Sequence, residues 1–119
     1  MLLLIGSDGN NLQSPVAKRF GHAGFYRIYN TETQKLESIA NTDEGHNHEI
    51  FQRFIDRGVD SFIVDNIGPN AFEAINPQKS KVYLARKMSV QEAIDNFLKG
   101  ELKQLTEPTT KKSIGHEHK

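Results

Sequence analysis

The chain has no cysteine. That excludes disulfides, thiolate zinc sites and cysteine nucleophiles, and equally an iron–sulfur cluster held by this chain's own thiolates. Any metal must be held by histidine, carboxylate, amide or backbone groups, or arrive with ligands of its own. Long apolar runs are also missing. The longest, LLLI at residues 2–5, suits a buried strand and falls far short of the roughly 20 residues that cross a bilayer as a helix. No basic stretch precedes it, so no signal peptide is expected. Neither sign of charge dominates, with 15 Lys plus Arg against 15 Asp plus Glu. So balanced a chain has no global field to attract nucleic acid, and neither a nucleic-acid nor a membrane partner is expected. The expectation is a soluble, cytoplasmic protein with a single ordered domain, a size suited to 119 residues.

Within that balance, charge is locally uneven. Lys18 and Arg19 adjoin His22, while Asp43 and Glu44 adjoin His46. MLLLIG reads as a short buried strand ended by Gly6. Residues 6–23 show no sustained period and carry glycines and a proline, so this long segment is expected to build no core and to serve function instead. FYRIYN then alternates, with Phe25, Arg27 and Tyr29 on one face and Tyr26, Ile28 and Asn30 on the other. TETQ makes a polar turn into KLESIAN, which completes a β-hairpin.

EIFQRFIDRGV carries an apolar stripe of Ile50, Phe51, Phe54 and Ile55 before Gly58, the pattern of an amphipathic helix with a C-terminal stop. SFIVDNI, a strand over 61–67, should be covered on both faces. Pro69 suits the first position of the next helix, and KVYLA makes a strand over 82–85. SVQEAIDNFLKG has a capping box, Ser89 with Glu92, and Gly100 to end its helix. Phe51, Phe54, Phe72 and Phe97 lie at helical spacing and belong to the core. Residues 1–106 are the expected domain, and 107–119 a polar, disordered tail containing His116 and His118.

The order β, loop, β-hairpin, α, β, α, β, α implies an α/β fold. Right-handed parallel crossovers give a mixed five-stranded sheet of order 3-2-1-4-5, with strand 2 antiparallel, and about three helices. Loops 6–23, 42–48 and DNIGPN then leave the carboxyl ends of strands 1, 3 and 4, where open α/β sheets hold their ligands. His22, His46, His48, Asn66 and Asn70 become candidates for one neighbourhood.

Three segments also carry a resemblance. SPVAKRFGHAGFYRIYN resembles the F-G-(R or H)-A segment, followed by F-x-I, of the dinitrogenase iron–molybdenum cofactor biosynthesis family, which includes NifX-like proteins and the C-terminal domain of NifB-like proteins. VDSFIVDNIGPNAFEAI is similar to that family's G-P-N-A segment, and SVQEAIDNFLKGEL to its terminal helix. The match spans roughly residues 1 to 105. It implies a ribonuclease H-like three-layer fold, and a binding or carrier role for an iron–sulfur or iron–molybdenum–sulfur cluster or its precursor, held transiently and served by cofactor-assembly proteins. It implies His22 as a cluster ligand. His46 fits a histidine that many members carry in a G-H-G stretch; here that stretch is EGHNHEI, and His48 is extra.

Each candidate has a plainer role beside the functional one. On the residues alone, His22 is a loop brace or a solvated side chain, as a single histidine most often is. His46 and His48 could share one face of an extended chain and chelate a metal. They would need a third ligand such as Glu44 or His22 to make a zinc site, and Asn47 between them is equally a helix N-cap. Asn66, Gly68 and Asn70 could offer N–H groups to an anion, or serve only the strand-to-helix turn that Gly68 and Pro69 make. Lys18 and Arg19 could complement an anionic ligand or simply be solvated. The chain is not expected to be an enzyme. Two alternatives remain: a metal-free regulatory or interaction module, and a magnesium-dependent ribonuclease H-like nuclease using Asp8, Glu49 and Asp65.

Overall fold

The computed structural model describes residues 1–41, 49–75 and 80–110. Its strands are β1 (Leu2–Ser7), β2 (Phe25–Asn30), β3 (Leu36–Ala40), β4 (Val59–Val64), β5 (Lys81–Leu84) and β6 (Lys103–Leu105), and its helices are α1 (Glu49–Asp56), α2 (Pro69–Ile75) and α3 (Val90–Leu98). All strands join one sheet in the order β3-β2-β1-β4-β5-β6. β1 lies antiparallel to β2, with Leu4 opposite Ile28, and parallel to β4, with Leu4 opposite Phe62. β2 and β3 are antiparallel, and β4 and β5 are parallel.

The order expected for the first five strands is therefore present, but the sheet has six strands and two antiparallel members. β6 runs antiparallel along β5, with Leu84 opposite Lys103. It escaped the sequence because KQL is three residues with two exposed. Such a stretch shows neither alternation nor an apolar run. Its backbone pairing and the packing of Leu105 on the core make it a strand. β4 also begins and ends earlier than expected, at Val59 and Val64, because the backbone of Asn66 pairs with the segment around Arg19 instead.

Helices cover both faces. On one, Leu4, Tyr26, Ile28, Phe62 and Val64 meet Phe51 and Phe54 of α1 and Phe72 and Ile75 of α2. On the other, Leu3, Ile5 and Ile63 meet Val90, Ala93 and Ile94 of α3. Alternate residues of β1 thus feed two cores, and the unbroken apolar run at its heart is what a doubly covered strand requires. Local signals end the helices as expected. Ser89 accepts from the Glu92 backbone N–H while the Glu92 side chain accepts from that of Ser89, the full capping box. Gly58 and Gly100 take left-handed φ values of 109° and 73° just beyond α1 and α3.

The long segment after β1 departs from expectation: it does build core. Val16 is buried with the α3 cluster, while Ala17, Phe20 and Ala23 are buried with the other. The segment crosses the carboxyl edge of the sheet from one face to the other. Its hydrogen bonds go to distant partners, Val16 N–H to the Met88 carbonyl and Ala17 N–H to that of Gly6. Contacts of this kind impose no sequence period. Arg27, buried on β2, helps fasten the start of the segment by donating to the Asn11 carbonyl at 3.0 Å, and burial pushes its guanidinium pKa down. The segment passes close over Gly6, where a Cβ would lie 3.0 Å from the Phe20 ring and press on it.

Candidate functional site

β1, β3, β4 and β5 run in one direction, so Ser7, Ala40, Val64 and Leu84 end at one edge of the sheet. A single 3-10 turn, Phe20–His22, sits at this edge. Phe20 is its anchor. The ring packs against Tyr26, Phe51 and Phe62 with centroids 5.1 to 6.1 Å away, and the Phe20 carbonyl accepts from the buried Tyr26 hydroxyl at 2.8 Å. Burying an aromatic side chain stabilises by about 2–3 kcal/mol, enough to hold a turn that has no side-chain cap. His22 follows two residues later and is exposed. Its backbone N–H donates to the Arg19 carbonyl at 3.1 Å, while its imidazole takes no partner among the described residues.

The turn is strapped to the loop after β4. Asn66 N–H donates to the Lys18 carbonyl at 3.1 Å, and Phe20 N–H donates to the Asn66 carbonyl at 2.9 Å. Arg19 and Asn66 thereby form a short parallel bridge. Lys18 and Arg19 have exposed side chains. On the far side of Asn66 stands Arg86, just past β5. Its Nη2 donates to Asn66 Oδ1 at 2.9 Å and its Nε lies 3.5 Å from Asp65 Oδ1. Thr109 approaches the same loop, its Oγ1 accepting from the Ile67 N–H at 2.8 Å. At the other flank Asn41, just past β3, donates through its backbone N–H to the Gly24 carbonyl and through Nδ2 to that of Ala23, at 3.0 and 2.8 Å. Asn41 therefore lies beside the two residues that follow His22.

Of the candidates, Arg19, His22 and Asn66 come together here. Gly68 and Asn70 continue from Asn66 into α2. Gly68 has no left-handed φ, and a Cβ there would make only an ordinary 3.5 Å contact with Thr110, so neither backbone geometry nor space demands glycine. His46 and His48, with Glu44 and Asn47, lie outside the described residues, as does the Glu49 side chain. Asp65 is engaged by Arg86, and Asp8 is exposed on the segment after β1. Among the described residues, no three His, Asp or Glu groups gather to hold a metal. Sequence reasoning missed Arg86 and Thr109. Arg86 could have been found, because it follows a parallel strand at its carboxyl end. Thr109 could not, since it sits in an aperiodic polar stretch.

Comparison with known proteins agrees with this architecture. An uncharacterized protein of Methanocaldococcus jannaschii, MJ0580, is 32% identical over 99 residues, covering 80% of this chain and 84% of that one. The NMR structure of TM1290 from Thermotoga, a candidate NifB protein of the DUF35 family, superposes with a TM-score of 0.81 at 37% identity, over 93% of this chain and 98% of that one. The apo form of the orange protein of Desulfovibrio gigas also has a TM-score of 0.81, at 23% identity, over 92% and 96% of the two chains, a likeness of fold. The family model described as dinitrogenase iron-molybdenum cofactor matches residues 1–100. The chain belongs to the dinitrogenase iron–molybdenum cofactor family.

Proposed function

We propose that this protein is a non-catalytic, cytoplasmic carrier. It takes up an iron–sulfur or iron–molybdenum–sulfur cluster, or a precursor of one, at the carboxyl edge of its sheet and passes it to cofactor-assembly proteins. Membership in the family supports a cofactor-handling role. The observation that carries the placement is the strap between Lys18–Phe20 and Asn66, which holds the exposed His22 turn against the loop after β4. His22 offers an imidazole nitrogen to a metal of the cargo, and Lys18 and Arg19 offer positive charge to its anionic sulfides. Asn66, Gly68 and Asn70 line the adjoining loop, and His46 and His48 are further candidate ligands. With no thiolate in the chain, the hold is weak and reversible, as transfer requires.

The test is anaerobic mixing of the protein with an iron–sulfur or iron–molybdenum cluster donor, then gel filtration with metal analysis of the protein peak. Wild type is expected to co-elute with metal and His22→Ala to lose it. Loss in His46→Ala alone would move the ligand to loop 42–48. A metal-free wild-type peak would overturn the carrier role and favour the interaction module.

A further inference from the structure

The polar atoms of Asn66 are almost fully committed. Its backbone N–H and carbonyl belong to the strap with Lys18 and Phe20. Its carboxamide oxygen receives Arg86 Nη2 at 2.9 Å and lies 3.3 Å from Thr109 Oγ1. A carbonyl oxygen accepts and an NH2 group donates, and a guanidinium can only donate, so Arg86 fixes which end of the carboxamide is oxygen. What is left over is the NH2 group, which has no partner among the described residues, on a side chain only partly buried. Asn66 is thus held as an oriented donor beside the His22 turn.

Thr109 adds to that orientation. Its hydroxyl accepts from the Ile67 N–H at 2.8 Å and, with a single proton to give, faces both Asn66 Oδ1 at 3.3 Å and the Ile67 carbonyl at 3.2 Å. Its own backbone N–H donates to the Ile67 carbonyl at 3.0 Å. Thr109 and Thr110 therefore close on the loop after β4, in a part of the chain that the match over residues 1–100 does not reach. We propose that Thr109 is a positioning residue for the candidate site. With Arg86 it turns the Asn66 NH2 outward to donate to sulfide or oxide acceptors of an anionic cargo, a charge-assisted hydrogen bond. The donor role of Asn66 rests on the carrier reading above; the positioning by Thr109 does not.

The test compares wild type with Thr109→Val, which keeps shape and removes the hydroxyl, and Thr109→Ser, which restores it. Without ligand, amide exchange at Ile67 is expected to quicken about tenfold in Thr109→Val, the loss of one hydrogen bond, and to return towards wild type in Thr109→Ser. Unchanged exchange in Thr109→Val would overturn the positioning role. Tetrathiomolybdate, a sulfide-rich anion, then serves as probe. Its titration is expected to shift the Asn66 side-chain 15N–1H signals in wild type, with affinity about fivefold to tenfold weaker in Thr109→Val and rescued in Thr109→Ser. Binding with the Asn66 signals unmoved would overturn the donor role and leave the carrier standing. No binding of this probe, together with no cluster in the gel-filtration peak, would overturn the carrier and the donor role, while the Ile67 exchange still decides the role of Thr109.

Discussion

At the scale of single residues, the site depends on a buried aromatic pair. Tyr26 and Phe20 lie 5.4 Å apart edge to face, and the Tyr26 hydroxyl reaches the Phe20 carbonyl inside the core. A polar group there must be satisfied, or the fold carries its desolvation cost. Tyr26→Phe removes the donor and leaves the carbonyl, among the described residues, only the weaker 3.4 Å approach of the Ala23 N–H. We expect a loss of about 1–2 kcal/mol in urea unfolding, with the His22 turn the first region to gain amide exchange. Unchanged stability would mean that the hydroxyl does not hold this turn. The tyrosine was legible in the sequence as one face of an alternating strand; that this face is core, and its partner, were not. Phe20 stands in a segment without period, and only the path of the chain across the sheet edge brings it over Phe51 and Phe62.

At the scale of elements, the edge strand β3 is tied to the end of α1 by one ion pair. Arg57 Nη2 lies 2.6 Å from Glu37 Oε1, and Nη1 lies 3.3 Å from Oε2, a two-pronged contact with both side chains about half exposed. The hydrogen bond that Arg57 donates holds the Glu37 carboxyl below its ordinary value of 4.5, and the same bond raises the Arg57 guanidinium. A depressed acid contributes stability that is fully present above the unfolded-state pKa and lost as pH falls through the folded one. Exposure keeps it small. Glu37→Gln should cost about 0.5 kcal/mol at neutral pH and nothing near roughly pH 2, where both chains carry an uncharged side chain. Thermal unfolding of the two proteins across that range checks it; a gap that persists in acid would show that packing, not charge, is involved. The amphipathic pattern of α1 was plain in the sequence, whereas a pairing of residues twenty apart is set by how the hairpin lies beside the helix.

At the scale of the whole molecule, two cores share the central strands β1 and β4. Leu4 faces α1 and α2, Leu3 faces α3, and both are fully buried. Each leucine-to-alanine change should cost about 2–5 kcal/mol. Because β1 lies in the middle of the sheet, neither core can open while the other stays closed. Both variants are therefore expected to unfold in one transition, with far-UV circular dichroism and tyrosine emission coincident. Tyr26 reports on one core and Tyr29 and Tyr83 on the other, and no tryptophan obscures them. A biphasic transition in either variant would show that the faces fold independently.

The sequence by itself determined the doubly covered central strand, the hairpin, three helices with the glycine stops of the first and third and the capping box of the third, and the order of the first five strands. Each of these is written in a local period or in connections short enough to leave one arrangement. It also determined that His22 and Asn66 would share an edge, because parallel strands put their following loops together. Only the tertiary structure decided that the segment between β1 and β2 is part of the core, that a sixth strand closes the sheet, and that Arg86 and Thr109 converge on Asn66. Those features rest on contacts between residues far apart in the chain. Such contacts fix no repeating pattern in the sequence, and they exist only once the sheet has brought their partners within hydrogen-bonding distance.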